Sequence, residues 1–371
     1  MLYNHIVIVM PIDLATMRRY AIARTLFTPT TLGRAIQQLG FVQADPIRAP
    51  ARAQDLTLRH RVKGYRAGDL ERRFTRLPIE EDFFVNYGYV SRATQALMHP
   101  RTARTPLSAL QRQQVEPVLE FVREHGVVHP RVVDAHFAHG SALNWFGGSS
   151  NASTQLLDAL HYRGMLRIAG RVSGVRTYAI REPSAHATDP HAAMDALVDV
   201  IVQKYAPLPA RSLGELVSRL RHGVPQWTQL RSVALQRAKT RLAHAVIDGE
   251  TYYWPAAEDP TDARYGRADT NMVRLLAPFD PLVWDRRRFE QLWGWAYRFE
   301  AYTPAAKRVR GYYALPLLWH EQIIGWGNVS VLDGRLQAEL GYVSGKAPRG
   351  VAYRQALQEE LERTRLFLGC S

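Results

Sequence analysis

The chain has 371 residues, 46% of them hydrophobic and 22% charged, which is enough apolar material to bury several cores and excludes a disordered or fibrous protein. Its formal charge of +14 is carried almost wholly by arginine, since only Lys63, Lys204, Lys239, Lys307 and Lys346 are lysines. Such an excess points to a polyanionic partner, nucleic acid first, although a GC-rich gene would by itself favour Arg over Lys.

A single cysteine, Cys370, excludes a disulfide framework, a thiolate zinc site and a buried cysteine nucleophile, and fits a reducing cytosol. The thirteen histidines are scattered and form no HExxH motif, so neither a metal nor an organic cofactor is expected. No stretch approaches membrane-spanning length, and the run "HIVIVMPI" reads as a loose leader or an edge strand. The expected location is the cytoplasm, on the nucleoid.

In chain order, three segments repeat one grammar, short amphipathic helices followed by a small β-hairpin, which is the pattern of winged helix-turn-helix units. The first (1–104) predicts helices near 13–25 and 31–39, a strand "GFVQ", helices near 48–62 and 67–75, and strands around "IEEDFFVNYGYVSR". The second (105–184) predicts helices near 107–125, 130–138 and 152–163. Leu156, Leu157 and Leu160 form the apolar stripe of the last, and Gly164 is its C-cap. A wing, "MLRIAGRVSGVRTYAI", follows, with Gly170, Gly174, Arg171 and Arg176 at its tip.

The linker "REPSAHATDPH" leads to the third unit (185–258), with a helix near 228–239 and a hairpin turning at Asp248-Gly249. From 270 to 371 the texture changes to strands, "RLLAPFDPLVWD", "WAYRFEAYTP", "RGYYALPLLWH", "QIIGWGNVSVLDG" and "RLQAELGYVSG". Their alternation predicts a small antiparallel barrel or sheet, closed by a helix near 350–365. The fold class expected is α+β. A hairpin tip "AAKRVR" would project Lys307, Arg308 and Arg310 toward a groove or phosphates.

Chemistry is concentrated in "LGFVQADPIRAPARAQDLTLRHR". Strand alternation should point Gln43 away from the face on which Phe41 and Val42 pack. Asp45, before Pro46, has the makings of a helix N-cap. Arg48, Arg52, Arg59, Arg61 and Lys63 follow, and so many cations should keep Asp45 ionised and able to stabilise a cation. The plainer alternative makes Asp45 only a cap and Gln43 only an exposed strand residue.

Three patches resemble the winged-helix DNA glycosylases of the AlkZ/YcaQ type: the stretch around Gln43, "LNWFGGSSNASTQLLDALHYRGMLRIAGRVSGVRTY", and "LLAPFDPLVWDRRRFEQLWGWAYRFEAYTPAAKRVRGYYALPLLW". The resemblance covers most of the chain. It implies three tandem winged helices and a C-terminal β-barrel around a DNA channel, with a Gln-x-Gln or Gln-x-Asp catalytic motif. Gln43 and Asp45 match the Gln-x-Asp form of the YcaQ-like branch, which implies excision of N7-alkylguanine and unhooking of interstrand crosslinks. The chain departs from many relatives at Gln54-Asp55 and at Asn86-Tyr87.

The expected partner is therefore double-stranded DNA carrying alkylated guanine, met by a monomer. Arg48, Arg52, Arg59, Arg61, Lys63, Arg171, Arg176, Lys307, Arg308 and Arg310 are the candidate DNA contacts. The rival class is a non-catalytic winged-helix regulator. Regulators usually dimerise on spaced half-sites, and no heptad or dimer helix is evident here. No lysine near the motif in sequence except Lys63 offers a Schiff-base nucleophile, so a monofunctional activity is expected.

Overall fold

The computed structural model describes residues 12–143, 149–182, 189–267 and 271–371. The leader up to residue 11, the 183–188 stretch of the linker and part of the patch beginning "LNWFGG" lie outside the described residues. The fold is a mixed α and β one in which helices alternate with small antiparallel sheets.

Local sequence explains most of the elements. Helix Leu14–Thr25 starts where the Asp13 carboxylate accepts from the Thr16 amide at 2.7 Å. Helix Ala109–His125 opens with a reciprocal capping box between Ser108 and Gln111. Helix Ala152–Arg163 buries Leu156, Leu157 and Leu160 and stops at Gly164, whose φ of 80° is cheap only without a Cβ. Helix Pro190–Tyr205 carries Asp189 as cap and Pro190 in its first turn.

Each helical group feeds a three-stranded antiparallel sheet. The first pairs Phe41–Gln43 with Tyr87–Ser91, which in turn pairs with Ile79–Phe83. The second orders Val127–Val128, Val175–Ile180 and Leu166–Val172. The third orders Ala243–Ile247, Glu250–Trp254 and Leu208–Pro209, and turns through Asp248 and Gly249 at φ 51° and 79°. Positive φ at both central residues is the twist-matched hairpin turn that Asp-Gly favours. In the second hairpin the turn is Ser173-Gly174, while Gly170 sits inside a strand at a register shift and is not at the tip.

Several expectations need correction. The helix expected over 48–62 is only Ala53–Leu58, and Asp45 caps nothing: its Oδ1 accepts from the Ile47 amide at 2.9 Å in a local turn. Pro46 and Pro50 each lack an amide hydrogen and bias the residue before them away from helix, so 44–52 stays irregular. The C-terminal sheet is open, ordered Arg274–Leu275, Leu315–Trp319, Gln322–Leu332 and Arg335–Tyr342, and does not close into a barrel.

"RLLAPFDPLVWD" gives one two-residue strand, a helix occupies Arg286–Trp293, and "WAYRFEAYTP" forms no strand. Its aromatic side chains stack on other rings instead of lining a pleat, Trp295 on Trp326 at 5.9 Å and Phe299 against Tyr313 at 5.2 Å. Without that strand "AAKRVR" tips no hairpin; it belongs to an irregular loop with a single tight turn at Ala305–Lys307. Helix Val351–Leu368 closes the chain.

Two buried apolar clusters hold the elements together. One joins Met17 and Tyr20 of the first helix to the 190–254 helices and hairpin and to Phe289. The other joins Ile36 and Val42 to Leu157, Leu275, Leu317 and Tyr353. Strand Phe41–Gln43 lies between them, with Phe41 in the first cluster and Val42 in the second. The motif is thus mounted on a strand held from both sides.

Candidate active site

Gln43 pairs with Gly88 across the sheet, and the next amide, that of Ala44, donates to the Tyr87 carbonyl at 3.0 Å. Position 88 must be glycine: a Cβ there would collide with the Val42 carbonyl oxygen and stand 2.6 Å from the Phe41 ring. The close approach lets the strand run flush to the point where the backbone turns at Asp45. Gln43 does not face solvent as strand alternation would have it. It is 5% exposed, and its Oε1 is buried without a hydrogen-bond partner among the described residues.

Asp45 is half-buried. Burial pushes its carboxyl above the usual aspartate value, opposed by the Ile47 amide, and no guanidinium contributes to the shift. The expectation that arginines hold Asp45 ionised is therefore corrected. Gln54, itself buried, turns its Oε1 toward the Asp45 amide at 3.4 Å, and Asp55 accepts from the Tyr65 hydroxyl at 2.6 Å. Gln54 thus backs the turn that carries Asp45.

Tyr313 is the residue that sequence reasoning missed. It is buried, its hydroxyl has no partner among the described residues, and burial followed by the Asp45 charge drives it well above the ordinary phenol value, so it stays a proton donor. Tyr297, Arg286 and Tyr302 are the other charges and hydroxyls that act on it. Nothing in the local pattern "RGYYALP" separates Tyr313 from a sheet-core tyrosine; only the approach of the C-terminal sheet to the 44–50 loop does. Ala49, Gly311, Tyr312 and Tyr313 line a groove of about 530 Å³ there, with Asn328 and Glu339 on its far wall.

The candidate DNA contacts divide sharply. Arg61 is fully buried and forms a two-pronged pair with Asp280 at 2.8 and 3.0 Å, and Arg59 is buried against Glu360, Thr364 and the Leu275 carbonyl. Both are corrected to structural roles, because the fold brings each a carboxylate from the distant C-terminal region. Arg52 pairs with Glu71. Arg171 and Arg176 fold back on buried Glu81, and Arg176 also meets Asp158 at 3.1 Å and lies over the Tyr87 ring.

Arg48, Lys63 and Lys307 are exposed. Arg48 and Arg52 both reach Gly174 of the second hairpin, so that turn sits beside the motif loop. Burial, then Arg48, then Arg171 lower the affinity of Arg52 for its proton, opposed by Tyr89 and Asp55. Arg308 and Arg310 are partly covered, stacked on Tyr312 and on Trp295 and Trp326.

Lys204, distant in sequence, comes against the motif strand: its ammonium donates to the Phe41 carbonyl and lies over the Phe41 ring at 5.0 Å. Burial pushes it down to about 7, with Arg61 adding to the shift and Asp280 opposing it. It is sealed from solvent and holds the strand in place. Among the described residues no group of three or more His, Cys, Asp or Glu is placed to bind a metal ion, and no helix is long and apolar enough to cross a membrane.

Comparison with known proteins gives the class to which this motif-bearing fold belongs. Residues 36–367 match the family described as DNA glycosylase AlkZ-like, and the chain belongs to that family. Its fold is similar to that of Streptomyces sahachiroi DNA glycosylase AlkZ, with a TM-score of 0.62 at 12% identity and 98% of each chain covered. The protein is a DNA glycosylase.

Proposed function

We propose that this glycosylase is of the YcaQ-like kind and hydrolyses the N-glycosidic bond of N7-alkylguanine, unhooking interstrand crosslinks built on it. The observation that carries this reading is the set of polar groups gathered about one loop, the unpaired buried Gln43 Oε1, the half-buried Asp45 carboxylate and the unpaired Tyr313 hydroxyl, as counted among the described residues. Buried polar atoms are normally satisfied, and a cluster left open beside a groove is poised for a substrate.

Alkylation at N7 makes guanine a cationic leaving group, so the base departs without being protonated. What remains is to stabilise the deoxyribosyl oxocarbenium ion and deliver water. Asp45 stabilises the cation by charge and takes the proton of the attacking water. A unit charge about 4 Å away at an effective dielectric near 20 is worth roughly 4 kcal/mol, about three orders of magnitude in rate. Gln43 positions the water or the sugar through its amide. Tyr313, held protonated, donates to the sugar-phosphate or to that water.

The three helix-and-hairpin units, 1–104, 105–184 and 185–258, act as winged helices that with the 270–371 region clasp the duplex. Arg48, Lys63 and Lys307 supply phosphate contacts, while Arg52, Arg171 and Arg176, each paired with a carboxylate of this chain, brace the hairpin beside the motif. A crosslinked guanine is tethered to the opposite strand and cannot rotate freely into a closed pocket. Asp45, on the loop whose Ala49 lines the groove, reaches its sugar in place.

A duplex bearing one N7–N7 crosslink tests this. The two strands are expected to separate on a denaturing gel, leaving an abasic site and no strand break. Strands that stay linked, while an N7-methylguanine monoadduct is released, would remove the crosslink from the proposal. Nicking without added alkali would contradict a monofunctional enzyme.

A further inference from the structure

The groove between the motif loop and the C-terminal sheet runs against the charge of the rest of the protein. In a chain of net charge +14, its described lining holds no Lys, Arg or His, and its one charged side chain is Glu339. Glu71, Glu80, Glu81, Glu258 and Glu360 each meet an arginine. Glu339 is exposed and has no side-chain hydrogen bond or ion pair among the described residues. A carboxylate without a cation repels phosphate, so this wall is no track for the DNA backbone. The occupant it suits donates hydrogen bonds or carries positive charge.

Strand register sets Glu339 in place. Strands Gln322–Leu332 and Arg335–Tyr342 pair from Gly325 opposite Tyr342 to Leu332 opposite Arg335, which puts Glu339 across from Asn328 and Gln337 across from Ser330. Side chains directly opposite each other share a face, and so do those two apart on one strand. All four polar side chains therefore stand on the hairpin face that walls the groove. Asn328 is fixed there, donating to the Arg310 carbonyl at 2.6 Å and covering Gly311 so closely that a Cβ would collide with it.

The opposite wall belongs to the motif. It is made by Ala49 of the motif loop and by Tyr313, on which the Asp45 charge acts. A nucleotide whose sugar approaches Asp45 thus has the acceptor-bearing hairpin across the groove from it.

We infer that Glu339 determines base specificity, its carboxylate accepting from the 2-amino group of the alkylated guanine while Asp45 faces the sugar. This rests on the reading that Asp45 is brought to the damaged nucleotide. In a duplex the sugar and the 2-amino group of guanine both border the minor groove, and that amino group is the donor that separates G·C from A·T there. An ionised carboxylate only accepts, so it takes the amino group and is repelled by the N3 acceptor that adenine presents. Positive charge on the N7-alkylated ring strengthens the bond to an anion, which favours the damaged base over ordinary guanine.

The test uses the full-length protein and two duplexes that differ only at the lesion, one carrying N7-methyl-2′-fluoroarabinoguanine, whose glycosidic bond resists cleavage, the other its hypoxanthine counterpart, which lacks the 2-amino group. Wild type is expected to bind the guanine duplex about tenfold more tightly, the scale of one hydrogen bond to a charged group. Glu339→Ala should bind both alike, at the wild-type affinity for the hypoxanthine duplex, a pattern that a general loss of structure would not give. Equal affinity of wild type for the two duplexes, or a preference that survives in Glu339→Ala, overturns the assignment. Release of base from ordinary N7-methylguanine is followed in parallel. A Glu339-dependent preference without release would fail the excision reading and leave the contact standing, and release without the preference would do the reverse.

Discussion

Two cation-bearing stretches of this chain use their charges in opposite ways. In residues 48–63, Arg59 and Arg61 are swallowed by the core, each matched to a carboxylate from the C-terminal region, Glu360 and Asp280. In residues 300–312 the carboxylate present, Glu300, goes to backbone amides, so the guanidinium groups of Arg308 and Arg310 turn to aromatic faces and Lys307 is left to solvent. An arginine count is therefore no footprint of DNA. What decides is whether the fold brings an anion to each cation, and with 48 Lys and Arg against 34 Asp and Glu, many cations do have a partner inside the protein.

Removing a cation from the buried stretch should have the largest effect. Arg61→Ala leaves Asp280 charged and uncompensated in the core, a loss of about 3–5 kcal/mol in urea unfolding. A variant of wild-type stability with weakened DNA binding would return Arg61 to the DNA surface.

The same buried region answers to pH through Lys204. Its folded proton affinity is depressed to about 7 from an ordinary 10.5, so between these values the unfolded chain binds the extra proton and stability rises with pH. The gain is at most about 1.4 kcal/mol per pH unit, and Lys204→Met should flatten it between about pH 7 and 10. An unaltered slope would mean the ammonium is not sealed against Phe41. The smallest effect belongs to the exposed stretch: Lys307→Ala should leave unfolding unchanged and reduce the salt slope of duplex binding by about one. No change in slope would place Lys307 away from the phosphates.

Local chemistry was legible where a single residue type decides a local geometry. The stop at Gly164 and the Asp248-Gly249 turn lie where the sequence puts them, and the helix expected near 152–163 is Ala152–Arg163. The motif Gln43 and Asp45 could be singled out as candidates, but their surroundings could not. Pro46 and Pro50 turn an expected helix into a loop, and the acid expected to be bathed in guanidinium groups owes its shift to burial.

The C-terminal region was the least legible. Period-two aromatic residues look like strand whether they line a pleat or stack on one another, and Trp295, Tyr297 and Phe299 do the latter. Tyr313 and Lys204 reach the motif only through contacts between distant segments, which no local pattern encodes.

Whether Asp45 is the catalytic carboxylate is decided by comparing wild type with Asp45→Asn on duplex DNA carrying a single N7-methylguanine, following released base under single turnover and binding in the same samples. Because burial disfavours the Asp45 carboxylate in the folded protein, the amide should fold at least as well, so lost activity will not reflect lost structure. Wild type should release the base, the variant should be slower by about three orders of magnitude, and duplex affinity should be unchanged. Release by Asp45→Asn at the wild-type rate would contradict the assignment.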